Sequence, residues 1–420
     1  MPAREQLILP NGLQIWMEPL AYMHTASFGF WIASGSALET PAENGISHFL
    51  EHMFFKGSNH RTAHQIAAEM DAIGGVMNAY TTKEYTCFYA RTLTEHVAEG
   101  FDILADMLAY PLLKGQDVQL ERGVILEEIN MSMDDPEDFV CEQLTMNIWK
   151  NSPYGQPILG SRENILAVTA DQLRSYFLTH YSPHRMAIAI TGNFDRDSFV
   201  AQVQRYFGQT LSNTGTAVFP PVSYQRCAVI TPRDELEQTH LCLALPALPL
   251  YHPKRYALSI LTMALGSSSS SRLFQRIREE LGLVYSIAAD SVSYSGSGLL
   301  EIYAAVSPNE LHRAVEEILS VLQKTRKGIT KEEFSRCKEG LKSSFLMGME
   351  NSMTRTSYLG RNALYHKVLD DETLMTHFDS VTYEEVNLLA QTLLDIEKIS
   401  ISVVGPAPDS AALRAYGGEG

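Results

Sequence analysis

The sequence predicts an α+β protein of two homologous halves, each a mainly antiparallel sheet with helices packed on it. Three observations predict it. A worn repeat runs through the chain: Phe88-Tyr89-Ala90, then Val97, Phe101 and Leu104, match Ile302-Tyr303-Ala304, then Leu311, Val315 and Ile318, at an offset of 214. Val168-Thr169 and Gly192 match Val381-Thr382 and Gly405 at 213. Each half also reads as strands, helices, a strand pair, more helices and a closing strand, Arg185 to Thr191 in one and Lys398 to Val404 in the other. Finally, 420 residues with 45% hydrophobic content suffice for more than one core.

The division follows from local composition. Residues 1–208 form the N-terminal half and 223–405 the C-terminal half. Between them, 209–222 (QTLSNTGTAVFPPV) lacks periodicity and is rich in Thr, Gly, Ser and Pro, as a linker is. The tail, 406–420, is rich in Ala, Pro and Gly and is expected to fray.

Charge and composition exclude several classes of partner. A net charge of −16 argues against nucleic acid, because phosphate binding needs clustered Lys and Arg. No apolar run approaches the roughly 20 residues of a membrane helix, so no membrane partner is expected. Met1 to Gln6 lacks the apolar region of a signal peptide. The five cysteines, Cys87, Cys141, Cys227, Cys242 and Cys337, are odd in number and scattered. They read as free thiols in a reducing compartment, which points to the cytoplasm.

The chemistry concentrates in Gly45-Ile46-Ser47-His48-Phe49-Leu50-Glu51-His52, which contains His-x-x-Glu-His. On a helix, positions i and i+4 share a face one turn apart, so both imidazoles reach a single ion. Glu51 projects beside them, within reach of a water on that ion. Ile46, Phe49, Leu50, Met53 and Phe54 form an apolar stripe around the motif and predict a buried helix. Buried histidines beside a buried carboxylate are costly unless something satisfies them, and a cation does so. Zinc takes neutral imidazoles and, when catalytic, keeps one position open for water.

Two histidines need a third protein ligand, and Leu120-Glu121-Arg122-Gly123-Val124-Ile125-Leu126-Glu127-Glu128-Ile129 offers it. Glu121 and Glu128 are two helical turns apart and share a face, while Glu127 points roughly 100° away. One carboxylate would ligate and the other orient a ligand. Spacing alone leaves the choice open.

Together these residues resemble the pitrilysin and mitochondrial-processing-peptidase family of zinc metalloproteases, especially its bacterial two-half members. The likeness spans nearly the whole chain, from Asn11-Gly12-Leu13 through Asn78-Ala79-Tyr80-Thr81 and Pro157-Ile158-Leu159-Gly160 to Ser271-Arg272-Leu273-Phe274. The resemblance implies His48, His52 and Glu128 as ligands of Zn2+, Glu51 as the general base for a zinc-bound water, and Glu121 as the carboxylate behind the ligands. It implies that Arg278 and Tyr285 hold substrate or steady the developing oxyanion. A guanidinium and a phenol are suitable donors for that task. It also implies that Asn78, Ala79, Tyr80 and Thr81 lie on an edge strand that pairs with an extended peptide. The implied activity is a metalloendopeptidase for peptides or unfolded segments, including a precursor or leader peptide. The implied assembly is a homodimer rather than a heterodimer with a metal-free homologue.

The repeat assigns the chemistry to one half. Adding 214 to His48, Glu51 and His52 gives Thr262, Leu265 and Gly266, and adding it to Glu128 gives Lys342. The second half keeps the scaffold without the ligands.

Overall fold

The computed structural model describes residues 4–210, 215–219, 222–406 and 410–417. Eleven strands form two sheets among these residues. They are β1 (Glu5–Ile8), β2 (Gln14–Pro19), β3 (Thr25–Ile32), β4 (Val76–Thr81), β5 (Thr86–Leu93), β6 (Met186–Gly192), β7 (Ala228–Pro232), β8 (Thr239–Pro246), β9 (Val284–Ser293), β10 (Gly298–Val306) and β11 (Ser400–Gly405). Five helices carry the functional argument: α1 (Ile46–Phe54), α2 (Gly115–Asp134), α3 (Pro136–Ile148), α4 (Arg255–Leu265) and α5 (Ser352–Leu364).

The first sheet runs β1-β2-β6-β3-β5-β4 and the second β7-β11-β8-β10-β9. Without β1, the two orders superimpose. In each, one parallel pair (β2 with β6, β7 with β11) joins an otherwise antiparallel sheet. The repeat in the sequence is therefore a repeat of topology. Every residue of β6 and β11 is buried, so both faces of these strands are covered, and the polar residues they carry, Thr191, Ser400 and Ser402, are buried too. The α1 helix packs on β4 and on the helix Ala170–His180; α4 packs on β9 and on the helix Tyr383–Leu393.

The compact units do not follow the linear division at 209–222. One unit comprises Met1–Ile129, Gln156–Val218 and Leu346–Asp370; the other comprises Asn130–Gly155, Phe219–Phe345 and Asp371–Gly420. Each half has thus given one helix to the other's sheet. In the first unit, α5 lies on β3 and β6: Ser352 Oγ meets Ser27 Oγ at 2.8 Å, and Thr356 donates to the Ser27 carbonyl at 3.0 Å. Gly360 lies against the Trp31 indole, which leaves no room for a side chain. In the second, α3 lies on β8 and β11, with Thr231 donating to Gln143 at 2.9 Å. Part of the expected linker and tail lies outside the described residues. Within the tail, Ser410–Gly417 is a helix whose Leu413 is fully buried, which corrects the expectation of fraying there.

Candidate metal centre

The α1 helix begins at Gly45, whose φ of +98° lies in the left-handed region. A Cβ there would sit 2.8 Å from Gly160 Cα and from the Leu159 carbonyl oxygen, so only glycine fits. Phe49, Leu50, Met53 and Phe54 are fully buried in the first unit's core and seat the helix. His48, Glu51 and His52 are left on its remaining face. The two imidazole rings lie 4.6 Å apart, tilted 62° to each other.

The α2 helix supplies the carboxylates, and here the structure distinguishes them. Glu128 Oε2 lies 3.6 Å from His48 Nε2 and 3.5 Å from His52 Nε2. Glu121 Oε1 lies 2.9 Å from the other nitrogen of His52, Nδ1, and its second oxygen meets Lys56 Nζ. Glu127 is exposed. Ligand atoms of His48, His52 and Glu128 all lie within 4.8 Å of one another, the one such group among the described residues.

These distances fit zinc. A spacing of 3.5–3.6 Å is too long for a good hydrogen bond. In a tetrahedral shell with bonds of about 2.0–2.1 Å, neighbouring ligand atoms lie about 3.3–3.4 Å apart. Two imidazole nitrogens and one carboxylate form a set that zinc accepts while keeping a fourth position open. His48 Nδ1 is buried without a hydrogen-bond partner among the described residues. His52 Nδ1, by contrast, is fixed by Glu121, and that bond leaves Nε2 aimed at the centre.

The electrostatics follow the geometry. The facing His48 and His52 rings hold the Glu128 carboxyl far below the usual carboxylate range. Burial acts to lower the pKa of His52, but Glu128 and Glu121 outweigh it, and the net shift is upward. Burial pushes the Glu51 carboxyl up, against the Thr81 hydroxyl, which donates to Oε2 at 2.5 Å. A buried, upward-shifted carboxylate is a better proton acceptor than a free one.

Comparison with known proteins places the chain in a family. Residues 15–162 match the family described as Insulinase (Peptidase family M16), and residues 167–341 match the Peptidase M16 inactive domain. A Bacillus subtilis protein named uncharacterized zinc protease YmxG is 38% identical over 404 residues, covering 94% of this chain and 97% of the relative. The chain belongs to peptidase family M16. An uncharacterized zinc protease of Streptomyces coelicolor is 36% identical and covers 97% of this chain and 91% of its own length. Among solved structures, a Helicobacter pylori protease shares this M16 fold with a TM-score of 0.89 at 20% identity, over 97% of this chain and all of that one. A chain of Complex III2 from Candida albicans shares it with a TM-score of 0.85 at 19% identity, over 98% and 99%.

The other expected M16 site residues fall in two places. Asn78, Ala79, Tyr80 and Thr81 belong to β4, the outermost strand of the first sheet, bonded to β5 on one side. Arg278 and Tyr285 belong to the second compact unit. Arg278 lies on a segment, Phe274–Glu280, wound as a π-helix, and its guanidinium carbon sits 4.7 Å from the Phe274 ring centroid and 5.6 Å from that of Tyr285. Tyr285 is 77% exposed. Sequence reading missed two supporting groups. Lys56, one turn past His52, was findable from helical spacing. The contact of the Thr81 hydroxyl with Glu51 joins a strand to a helix 30 positions away and left no local signal.

Proposed function

We propose that this chain is a zinc metalloendopeptidase. The observation that carries the reading is the meeting of His48, His52 and Glu128 around one point, with Glu51 beside them. The zinc protease names of its M16 relatives support it.

Zinc, when bound, supplies Lewis acidity, bringing the pKa of a coordinated water towards about 7 and polarising a peptide carbonyl. The residues do the rest. Glu51 accepts the proton of the attacking water and returns it to the leaving amine, with Thr81 holding Oε2 in place. Glu121 keeps His52 in the tautomer that presents Nε2. Arg278 and Tyr285 donate to the oxygen that becomes negative. An extended peptide adds to the free edge of β4 along Asn78, Ala79, Tyr80 and Thr81, through backbone bonds that demand little of its sequence.

One chain carries both the metal ligands and the Arg278–Tyr285 pair, so a homodimer needs no specialised second subunit. The substrates of this reading are peptides or unfolded segments, with a cytoplasmic precursor or leader peptide as the specific form. No helix among the described residues is long and apolar enough to cross a membrane. The test is cleavage of fluorogenic peptides by purified protein of known metal content, with and without chelator. Stoichiometric zinc and chelator-sensitive cleavage are expected. Cleavage that survives complete zinc removal would overturn the proposal.

A further inference from the structure

The metal-binding helix starts without a cap of its own. Its N-cap residue is Gly45, which has no side chain to accept a bond from the first turn. The missing acceptor comes from six residues upstream. Glu39, 3% exposed, takes the Gly45 N–H on Oε2 at 2.8 Å and the Ser47 N–H on Oε1 at 2.8 Å. The Asn44 side-chain amide adds a third bond to Oε2 at 3.0 Å and also donates to the Pro157 carbonyl at 2.8 Å. Ser47 is held at its other end too, where its hydroxyl meets Tyr176 at 2.9 Å.

A buried carboxylate is expensive, so its place requires compensation. Here the compensation consists of N–H donors at the positive end of a helix. Both oxygens are engaged, one on the N-cap residue and one on the second residue of the helix, so the contact has two points. Two points fix the rotation of α1 about its axis, which a single cap bond does not. The next residue after Ser47 is His48, and His52 follows one turn on. A small rotation of this helix moves both Nε2 atoms relative to Glu128, which comes from a different element.

We propose that Glu39 is a positioning residue of the metal centre: it sets the rotation of α1 so that His48 and His52 meet Glu128. This rests on the zinc reading above. The side-chain bonds of Glu39 go to Asn44, Gly45 and Ser47 and not to His48, His52 or Glu128, so its effect belongs to ligand geometry.

The test measures zinc affinity by chelator competition, and the visible spectrum of the cobalt-substituted protein, in wild type, Glu39→Gln and Glu39→Asp. Thermal unfolding and circular dichroism confirm that each is folded. Gln keeps one acceptor but turns an NH2 towards an N–H donor; Asp keeps the charge but is one methylene short of bridging both N–H groups. Folded Glu39→Gln should bind zinc ten- to a hundredfold more weakly, as losses of outer-shell support do, with an altered cobalt spectrum. Its kcat should fall while KM stays within about twofold, because edge-strand binding is untouched. Asp should lie between the two. Wild-type zinc affinity in either folded variant overturns the proposal. If Gln does not fold, Asp decides; if neither folds, Glu39 is a folding determinant and the proposal fails. A wild-type protein that binds no zinc would instead sink the metal-centre reading itself.

Discussion

Helices α1 and α4 occupy matching places in the two halves, yet only α1 buries a carboxylate and an imidazole. In α1, His48 and Glu51 are 6% and 8% exposed. At the corresponding positions α4 has Thr262 and Leu265, both buried, followed by Gly266 at its C-cap. The partner position shows the same contrast. Glu128 faces two imidazoles, whereas Lys342 forms an ion pair with Asp379 at 2.7 Å. One scaffold has been finished in two ways. The second half fills these positions with uncharged side chains, a hydroxyl and an aliphatic group, and the first accepts desolvated charge that only coordination and hydrogen bonds offset. Where one copy of a repeat buries ionisable ligand-type groups and the other does not, chemistry is the reason to look for.

Several experiments break or sharpen this contrast. The largest effect is expected from Glu51→Gln, which should lower kcat about a thousandfold, within the range for a lost general base, while zinc content stays at wild type. Steady-state kinetics with metal analysis checks both; wild-type turnover would remove Glu51 from the chemistry. At the matching place in the other half, Leu265→Ala should cost roughly 3 kcal/mol of unfolding free energy, the size of a core cavity, without changing zinc affinity. Denaturant unfolding beside chelator competition reads the two separately. A large loss of zinc affinity there would contradict the division of labour.

The second half also holds an acid whose titration burial shifts. Glu301, at the position matching Cys87, is pushed up by burial to about 7 from an unfolded value of 4.5. Below pH 4.5 the group is protonated in both states and costs nothing. As pH rises through 7, the unfolded chain gives up its proton first, so stability is lost over that window, by roughly 3 kcal/mol in order of magnitude. Glu301→Gln should flatten that part of the stability–pH curve; an unchanged curve would show that the acid is not desolvated. The smallest effect concerns the support of the first half. Glu121→Gln should weaken zinc ten- to a hundredfold without abolishing binding, measured by chelator competition. Complete loss of zinc would make Glu121 a ligand.

How much of this was legible depends on how far each interaction reaches along the chain. His48, Glu51 and His52 lie within one helical turn and a half, so local period sufficed. Glu121 and Glu128 share a face, and only the crossing of α2 over α1 assigns one to the His52 Nδ1 and the other to both Nε2 atoms. The strand repeat was readable because each half preserves its own order. The exchange of α3 and α5 was not: an amphipathic pattern says that a face is buried, not which sheet buries it. Glu39 left no signal that was read, because two of its three bonds come from backbone N–H groups, which carry no residue pattern.

The most direct test of the account is X-ray absorption at the zinc edge on the purified protein, with His52→Ala as control. The account predicts one zinc per chain in a four-coordinate shell, with two imidazole nitrogens at about 2.0–2.1 Å, and loss of that signature in the variant. A zinc shell without histidine, or one unaltered by the substitution, would contradict it.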